Sequence, residues 1–108
     1  MSIALPSPIA RYFDADQRNG VDIADCFAAD AIVRDEGVLH RGVEAIRAWK
    51  ESASAKYTYK VVPMSMVEDN GLITVSGMVS GNFPGSPVDL RYGFRLAGGR
   101  IAELEIIP

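Results

Sequence analysis

The sequence predicts an α+β fold in which helices come first and pack on one face of a bent antiparallel sheet. Three observations predict it. As far as Ala53, apolar residues recur at helical spacing, whereas from Lys56 onward they alternate as in a strand with one buried face. The turn signals Asp69-Asn70-Gly71, Pro84-Gly85-Ser86-Pro87 and Ala97-Gly98-Gly99 cut this second half into a meander. No helical block is interleaved among those strands, which argues against parallel βαβ units.

The first helix is expected from Ser7-Pro8, with Ser as N-cap and Pro at the first helical position, where a missing N–H costs nothing. Ile9, Tyr12, Phe13 and Asp16 share one face of it, and Asn19-Gly20 ends it. Asp22 caps a second, short helix with Ile23, Cys26 and Phe27 as its apolar face. A strand from Ala31 to Asp35 follows and is broken by Glu36-Gly37. After a loop holding His40-Arg41-Gly42, a third helix carries Val43, Ile46, Trp49 and Ala53 inward and Glu44, Arg47, Lys50 and Glu51 outward.

In the alternating half, Tyr57, Tyr59 and Val61 share a face, but past Pro63 the apolar phase moves to Met64 and Met66. A one-residue slip beside proline predicts a bulge or an edge strand. The next strand sets Ile73, Val75, Gly77, Val79 and Phe83 against Thr74, Ser76, Met78 and Ser80. Gly77 and Gly81 on its apolar face allow curvature or leave open volume. Val88, Leu90, Tyr92, Phe94 and Leu96 then oppose Asp89, Arg91, Gly93 and Arg95. In the last strand Ala102, Leu104 and Ile106 oppose Ile101, Glu103, Glu105 and Ile107.

A length of 108 residues predicts one domain over 1–108. Apolar residues make up 48% and charged residues 23%, which places the chain among globular proteins. A net charge of −3 without a basic stripe gives no reason to expect nucleic acid. Cys26 and His40 stand alone of their kinds, so neither an internal disulfide nor a Cys/His metal site is expected. Cys26 reads as a small buried hydrophobe. The opening MSIALPSPIARYF does not read as a secretory signal, and no apolar run has membrane-spanning length. A cytoplasmic setting is the expectation.

Asp35 is the residue with the most chemistry to offer. Strand alternation points it inward with Ala31 and Val33, while Arg34 and the wetter Glu36 point away. An inward carboxylate is either a satisfied structural acid, paired with Arg34, Arg41 or Arg47 or hydrogen-bonded to the following turn, or a general acid/base tuned by its apolar surroundings. Tyr12 is either a core tyrosine or a hydrogen-bond donor to the same space. His40 reads as a surface residue or one at a pocket rim. Val33, Trp49, Val75, Phe94 and Leu104, on the apolar faces, are the expected pocket lining.

The run ARYFDADQRNGVDIADCFAADAIVRDEGVLHRGVEAIRAWK, followed by a four-stranded meander, resembles the NTF2-like superfamily in its SnoaL-like and ketosteroid-isomerase-like branch. Asn19-Gly20-Val21-Asp22, Phe27-Ala28-Ala29-Asp30-Ala31 and Gly42-Val43-Glu44-Ala45-Ile46 carry the resemblance. It implies a cone-shaped curved antiparallel sheet packed around helices, the NTF2-like or cystatin-like roll. It also implies an apolar pocket and a homodimer. In the isomerase branch the position matched by Asp35 shuttles a proton, and the one matched by Tyr12 donates to the developing oxyanion. Where that branch has a protonated aspartic acid as second donor, this chain has Tyr92.

Two functions follow from these expectations. One is proton transfer next to a carbonyl in a small apolar substrate, as in an isomerase, cyclase or dehydratase, with Asp35, Tyr12 and Tyr92 as catalytic residues and no cofactor. The other is a non-catalytic ligand-binding or dimerisation module on the same fold. Either is compatible with a homodimer built on the outer sheet face through Met78, Ile101 and Ile107.

Overall fold

Two-residue turns set the frame of the molecule. In the computed structural model, which describes residues 3–18, 20 and 22–108, Glu36-Gly37, Asn70-Gly71 and Gly98-Gly99 each have positive φ at both positions. That is the requirement of the hairpin turn whose twist matches the strands it joins. These turns connect β1 (Phe27–Asp35) to β2 (Val38–Arg41), β3 (Tyr59–Asp69) to β4 (Leu72–Gly81), and β5 (Val88–Ala97) to β6 (Arg100–Ile107). The strands form one sheet in the order β2-β1-β6-β5-β4-β3.

Two α-helices, α1 (Ser7–Gln17) and α2 (Val43–Lys56), complete the described fold with a short 3₁₀ turn, Ile23–Cys26. Ile9, Tyr12, Phe13 and Ala15 of α1 and Ile46 and Trp49 of α2 join Val33, Val75, Phe94, Ile101 and Leu104 in a continuous core. The α+β architecture is therefore as expected.

Several local expectations are corrected. The sheet is mixed, because β1 pairs parallel to β6, with Val33 opposite Leu104 and Asp35 opposite Ile106. Residues 38–41 are a strand, and Phe27 belongs to β1 instead of the short helix. The Glu36-Gly37 turn therefore closes a hairpin. Helix α1 starts one residue earlier than Ser7 as cap would allow. Its N-cap is Pro6, and no side chain caps it. Asp22 likewise makes no capping bond and sits at φ 64. The expected helix end at Asn19 and the Val21 of the same motif lie outside the described residues.

Both alternatives at Pro63 hold together: β3 is an edge strand, and its register against β4 shifts between Pro63 and Ser65. Met64 is the extra residue and is exposed. A second shift, between Arg95 and Leu96, leaves Ala102 unopposed in β6. This restores Ile101 to the inner face, where it is fully buried. Ile101 is thus core, and the outer face keeps Met78 and Ile107 without it.

Candidate functional site

Strand pairing lines up the inner face of the sheet in rows. One row runs Asp35, Ile106, Tyr92, Val75 across β1, β6, β5 and β4. Interstrand spacing puts Asp35 and Tyr92 about 10 Å apart on the same surface. The next row, Val33, Leu104, Phe94 and Ile73, is buried beneath the helices. The sheet thus closes on packed side chains at one end and stays open at the other.

The open end holds a cavity of about 440 Å³, within the range of small-molecule sites. Tyr12, Asp16, Asp35, Glu36, Trp49 and Lys50 form its polar side. Tyr57, Phe83, Val88, Leu90 and Ile106 are among its apolar walls. Of the residues expected from sequence, Tyr12, Asp35, Tyr92 and Trp49 meet here. Val33, Val75 and Phe94 do not touch the cavity: Val33 and Phe94 are fully buried one row below it, and Val75 is fully buried at the far end of the row that holds Tyr92. Leu104 is also buried, and the hollow it borders is a different one on the outer sheet face, about 310 Å³, beside Arg34, Arg91 and Arg95. His40 stands behind Trp49, ring centroids 5.9 Å apart, and does not line the cavity.

Asp35 is half-buried, and its Oδ2 accepts a hydrogen bond of 3.0 Å from Trp49 Nε1. None of the arginines that could have paired with it does so, and among the described residues its partner is this neutral indole. Its neighbour Glu36 departs from the expectation of a residue facing away. The positive φ of the turn, 53° at Glu36, swings that exposed side chain back to the cavity mouth.

The polar wall contains a group that sequence reasoning misread. Lys50, expected outward, is buried, and its Nζ donates to Asp16 Oδ1 at 2.7 Å and to Tyr59 Oη at 3.2 Å. Tyr59 Oη in turn donates to Asp16 Oδ1 at 2.6 Å. The ammonium lies 4.2 Å from the Trp49 ring centroid, a cation–π contact. Gly20 makes room for it, since a Cβ there would stand 2.5 Å from Lys50 Cγ. The signal was in the heptad: Ile46, Trp49, Lys50 and Ala53 are one stripe at i, i+3, i+4 and i+7. Asp16, one turn after Tyr12 on the apolar face of α1, was the matching half.

Tyr12 is fully buried, ringed edge-on by Phe13, Phe27 and Phe94. Its hydroxyl has no hydrogen-bond partner in the described structure although it borders the cavity. Burial, followed by the nearby Asp16 charge, holds the Tyr12 hydroxyl well above the ordinary tyrosine pKa. Burial and the charges of Asp16 and Asp35 push Tyr92 up too, and burial and Asp16 push up Tyr59. Near neutral pH all three are protonated and able to donate. Tyr92 lies across Gly77, where a Cβ would stand 3.2 Å from its ring. The volume expected at Gly77 is therefore filled by Tyr92 and Val61.

Residues 9–104 match the model of the SnoaL-like domain. Among solved structures, a Sinorhizobium meliloti protein proposed to be a polyketide cyclase is 45% identical, at a TM-score of 0.91 over 95% of each chain. A Catenulispora acidiphila protein of ketosteroid isomerase-like fold, solved with trimethylamine, is 20% identical at TM-score 0.82, over 97% of this chain and 87% of that one. SalBIII, an epoxide hydrolase/cyclase-like enzyme with a role in pyran ring formation in the polyether salinomycin, is 17% identical at TM-score 0.77, over 93% and 86%. No curated protein matches the chain.

Proposed function

The chain belongs to the SnoaL-like domain family, and from that premise we propose that it catalyses proton transfer next to a carbonyl in a small, largely apolar substrate. Asp35 is the base. Its Oδ2 is held by the Trp49 N–H, which orients the carboxylate without neutralising it, and leaves Oδ1 to take the α-proton and return it elsewhere on the substrate. As the proton leaves, negative charge grows on the carbonyl oxygen. Tyr12 and Tyr92 donate to that oxygen, in a cavity whose apolar walls strengthen such bonds. Isomerisation, aldol-type cyclisation and dehydration all begin with this step, and none of this chain's roles in it requires a cofactor.

The observation that carries the reading is the buried Tyr12 hydroxyl, without a partner among the described residues, bordering the same cavity as a carboxylate that makes no ion pair with any of them. Such a buried donor is costly unless something accepts from it. The rival module reading draws on the Trp49 bond, which by itself satisfies half of Asp35. Exchange of α-protons for deuterium in a panel of cyclic ketones decides between them. The protein is expected to accelerate exchange for at least one ketone, and Asp35→Asn to reduce that rate by about a hundredfold or more while keeping its fold. A folded Asp35→Asn protein that exchanges as fast as the wild type would leave the module reading standing.

We extend the proposal to assembly and setting: a homodimer through the outer sheet face, where Val62, Met64, Val67, Met78 and Ile107 are exposed, in a cytoplasm that keeps Cys26 reduced. No described helix is long and apolar enough to cross a membrane.

A further inference from the structure

The cavity wall has a charge imbalance that constrains what can enter. Three carboxylates line it, those of Asp16, Asp35 and Glu36, against one ammonium, that of Lys50. That ammonium is fully engaged, by Asp16 Oδ1, Tyr59 Oη and the Trp49 ring face, so it has little left to offer an anion. No arginine or histidine reaches the cavity lining among the described residues. Asp16 is matched by Lys50, which leaves Asp35 and Glu36 as negative charge without a counter-ion in the wall.

Aromatic rings supply the second half of a cation site. Trp49, Tyr57, Tyr59, Phe83 and Tyr92 line the cavity, and Tyr57 and Phe83 meet edge to face at 6.1 Å. The two lysines nearest these rings already ride their faces: Lys50 is over Trp49, and Lys56 is over Tyr57 at 5.2 Å. Ring faces attract cations through their quadrupole, and more strongly when desolvated. Glu36 adds a third feature. It occupies a left-handed position that Asn70 and Gly98 fill in the other two hairpins, and glutamate is a poor residue for that conformation. The buried Tyr12 hydroxyl, unpartnered and bordering the same space, independently marks the cavity as a place for a polar ligand atom.

We propose that the cavity selects an organic cation: a carbonyl compound bearing a protonated or quaternary amine, with the ammonium set between Glu36 and the aromatic wall at the cavity mouth, which leaves Asp35 Oδ1 to the α-proton. This names the substrate class of the proton-transfer reading, and it rests on that reading only for the step that follows binding. Carboxylates and phosphates are repelled from the site, whereas a neutral ligand gains the ring contacts without the charge.

The chain's one tryptophan is Trp49, so its emission reports on the cavity directly. Benzyltrimethylammonium, benzyl alcohol and phenylacetate, similar in shape and different in charge, are titrated into the full chain and followed by Trp49 emission and, in parallel, by amide chemical shifts. The cation is expected to bind about tenfold more tightly than the alcohol, and phenylacetate more weakly than either. Glu36→Gln is expected to weaken the cation about threefold and to leave the alcohol unchanged. Equal or tighter binding of the alcohol or phenylacetate overturns the proposal, as does the absence of a saturable response to the cation in both readouts. Loss of α-proton exchange with the cation ranking intact removes the catalytic step and leaves the cation site. Retained exchange with the ranking reversed does the opposite.

Discussion

Lys50 and Asp16 show how much depends on two side chains. Their side chains are 5% and 2% exposed, so each would be an unpaired charge in low dielectric without the other. Breaking such a pair from one side costs about 3–5 kcal/mol, while replacing both partners is close to neutral. Lys50→Met and Asp16→Asn are therefore each expected to lower the thermal midpoint sharply, and the double variant to recover most of the loss, as read by thermal unfolding. Additive losses in the double variant would show that the two do not act as a pair.

The tyrosines set a limit at alkaline pH. Tyr12, Tyr59 and Tyr92 have pKa values raised in the folded state, chiefly by burial. A raised folded pKa means that stability is complete below the unfolded value, about 10, and declines as pH climbs above it toward the folded one. Each such residue then costs about 1.4 kcal/mol per pH unit. Urea midpoints are expected to be flat on this account up to about pH 10 and to fall beyond it, with a shallower fall in Tyr92→Phe. Residue-level chemistry was half legible in the sequence. Alternation alone turned Asp35 inward, and the family motif pointed to Tyr12 and Tyr92. Lys50 was sorted by its charge when its helical position said otherwise, because a buried lysine becomes plausible only once Asp16 is known to face it.

Elements were read best where a local signal and a tertiary demand coincided. The Asn70-Gly71 and Gly98-Gly99 hairpins and the slip at Pro63 follow from turn chemistry and side-chain alternation, both written into neighbouring residues. Strand β2 was missed because Val38–Arg41 is only four residues long and exposed along most of its length, which leaves no buried face to register. The parallel pairing of β1 with β6 was missed because alternation is the same in both directions. Gly81 illustrates an element-level constraint: a Cβ there would stand 2.3 Å from the Thr58 carbonyl oxygen, where β3 and β4 draw together. Gly81→Ala is expected to destabilise the protein by about 1–3 kcal/mol, since the obstacle is backbone. Gly85→Ala is no simple control, because its positive φ adds strain of its own. The urea midpoint of Gly81→Ala is the direct measurement, and an unchanged value would mean that the strand ends can part freely.

For the whole molecule, the apolar outer face is the feature that interior packing does not explain. Val62, Met64, Val67 and Met78 lie on the β3–β4 half of the sheet, 37–65% exposed, and such patches on a small domain are commonly covered by a partner. Light scattering at micromolar concentration is expected to give the mass of two chains, and Met78→Asp to give the mass of one. A wild-type monomer would reject the dimer. The fold class, helices packed on a curved sheet, was legible in the sequence, although β2 and the parallel β1–β6 pairing were not. The cavity was legible only as a probability of open space, because its depth depends on how Tyr92, Val61 and Lys50 fill what the glycines leave.

Within the sheet β1 lies between β2, which follows it directly, and β6, which comes far later in the chain. While the chain is being made, the strand that carries Asp35 has only the short β2 as a partner within the sheet until β6 has been translated. The nascent protein therefore carries Asp35 through the synthesis of β3, β4 and β5 on a hairpin of its own, and β6 is the strand that splices that hairpin to the rest and turns two loose ribbons into a vessel.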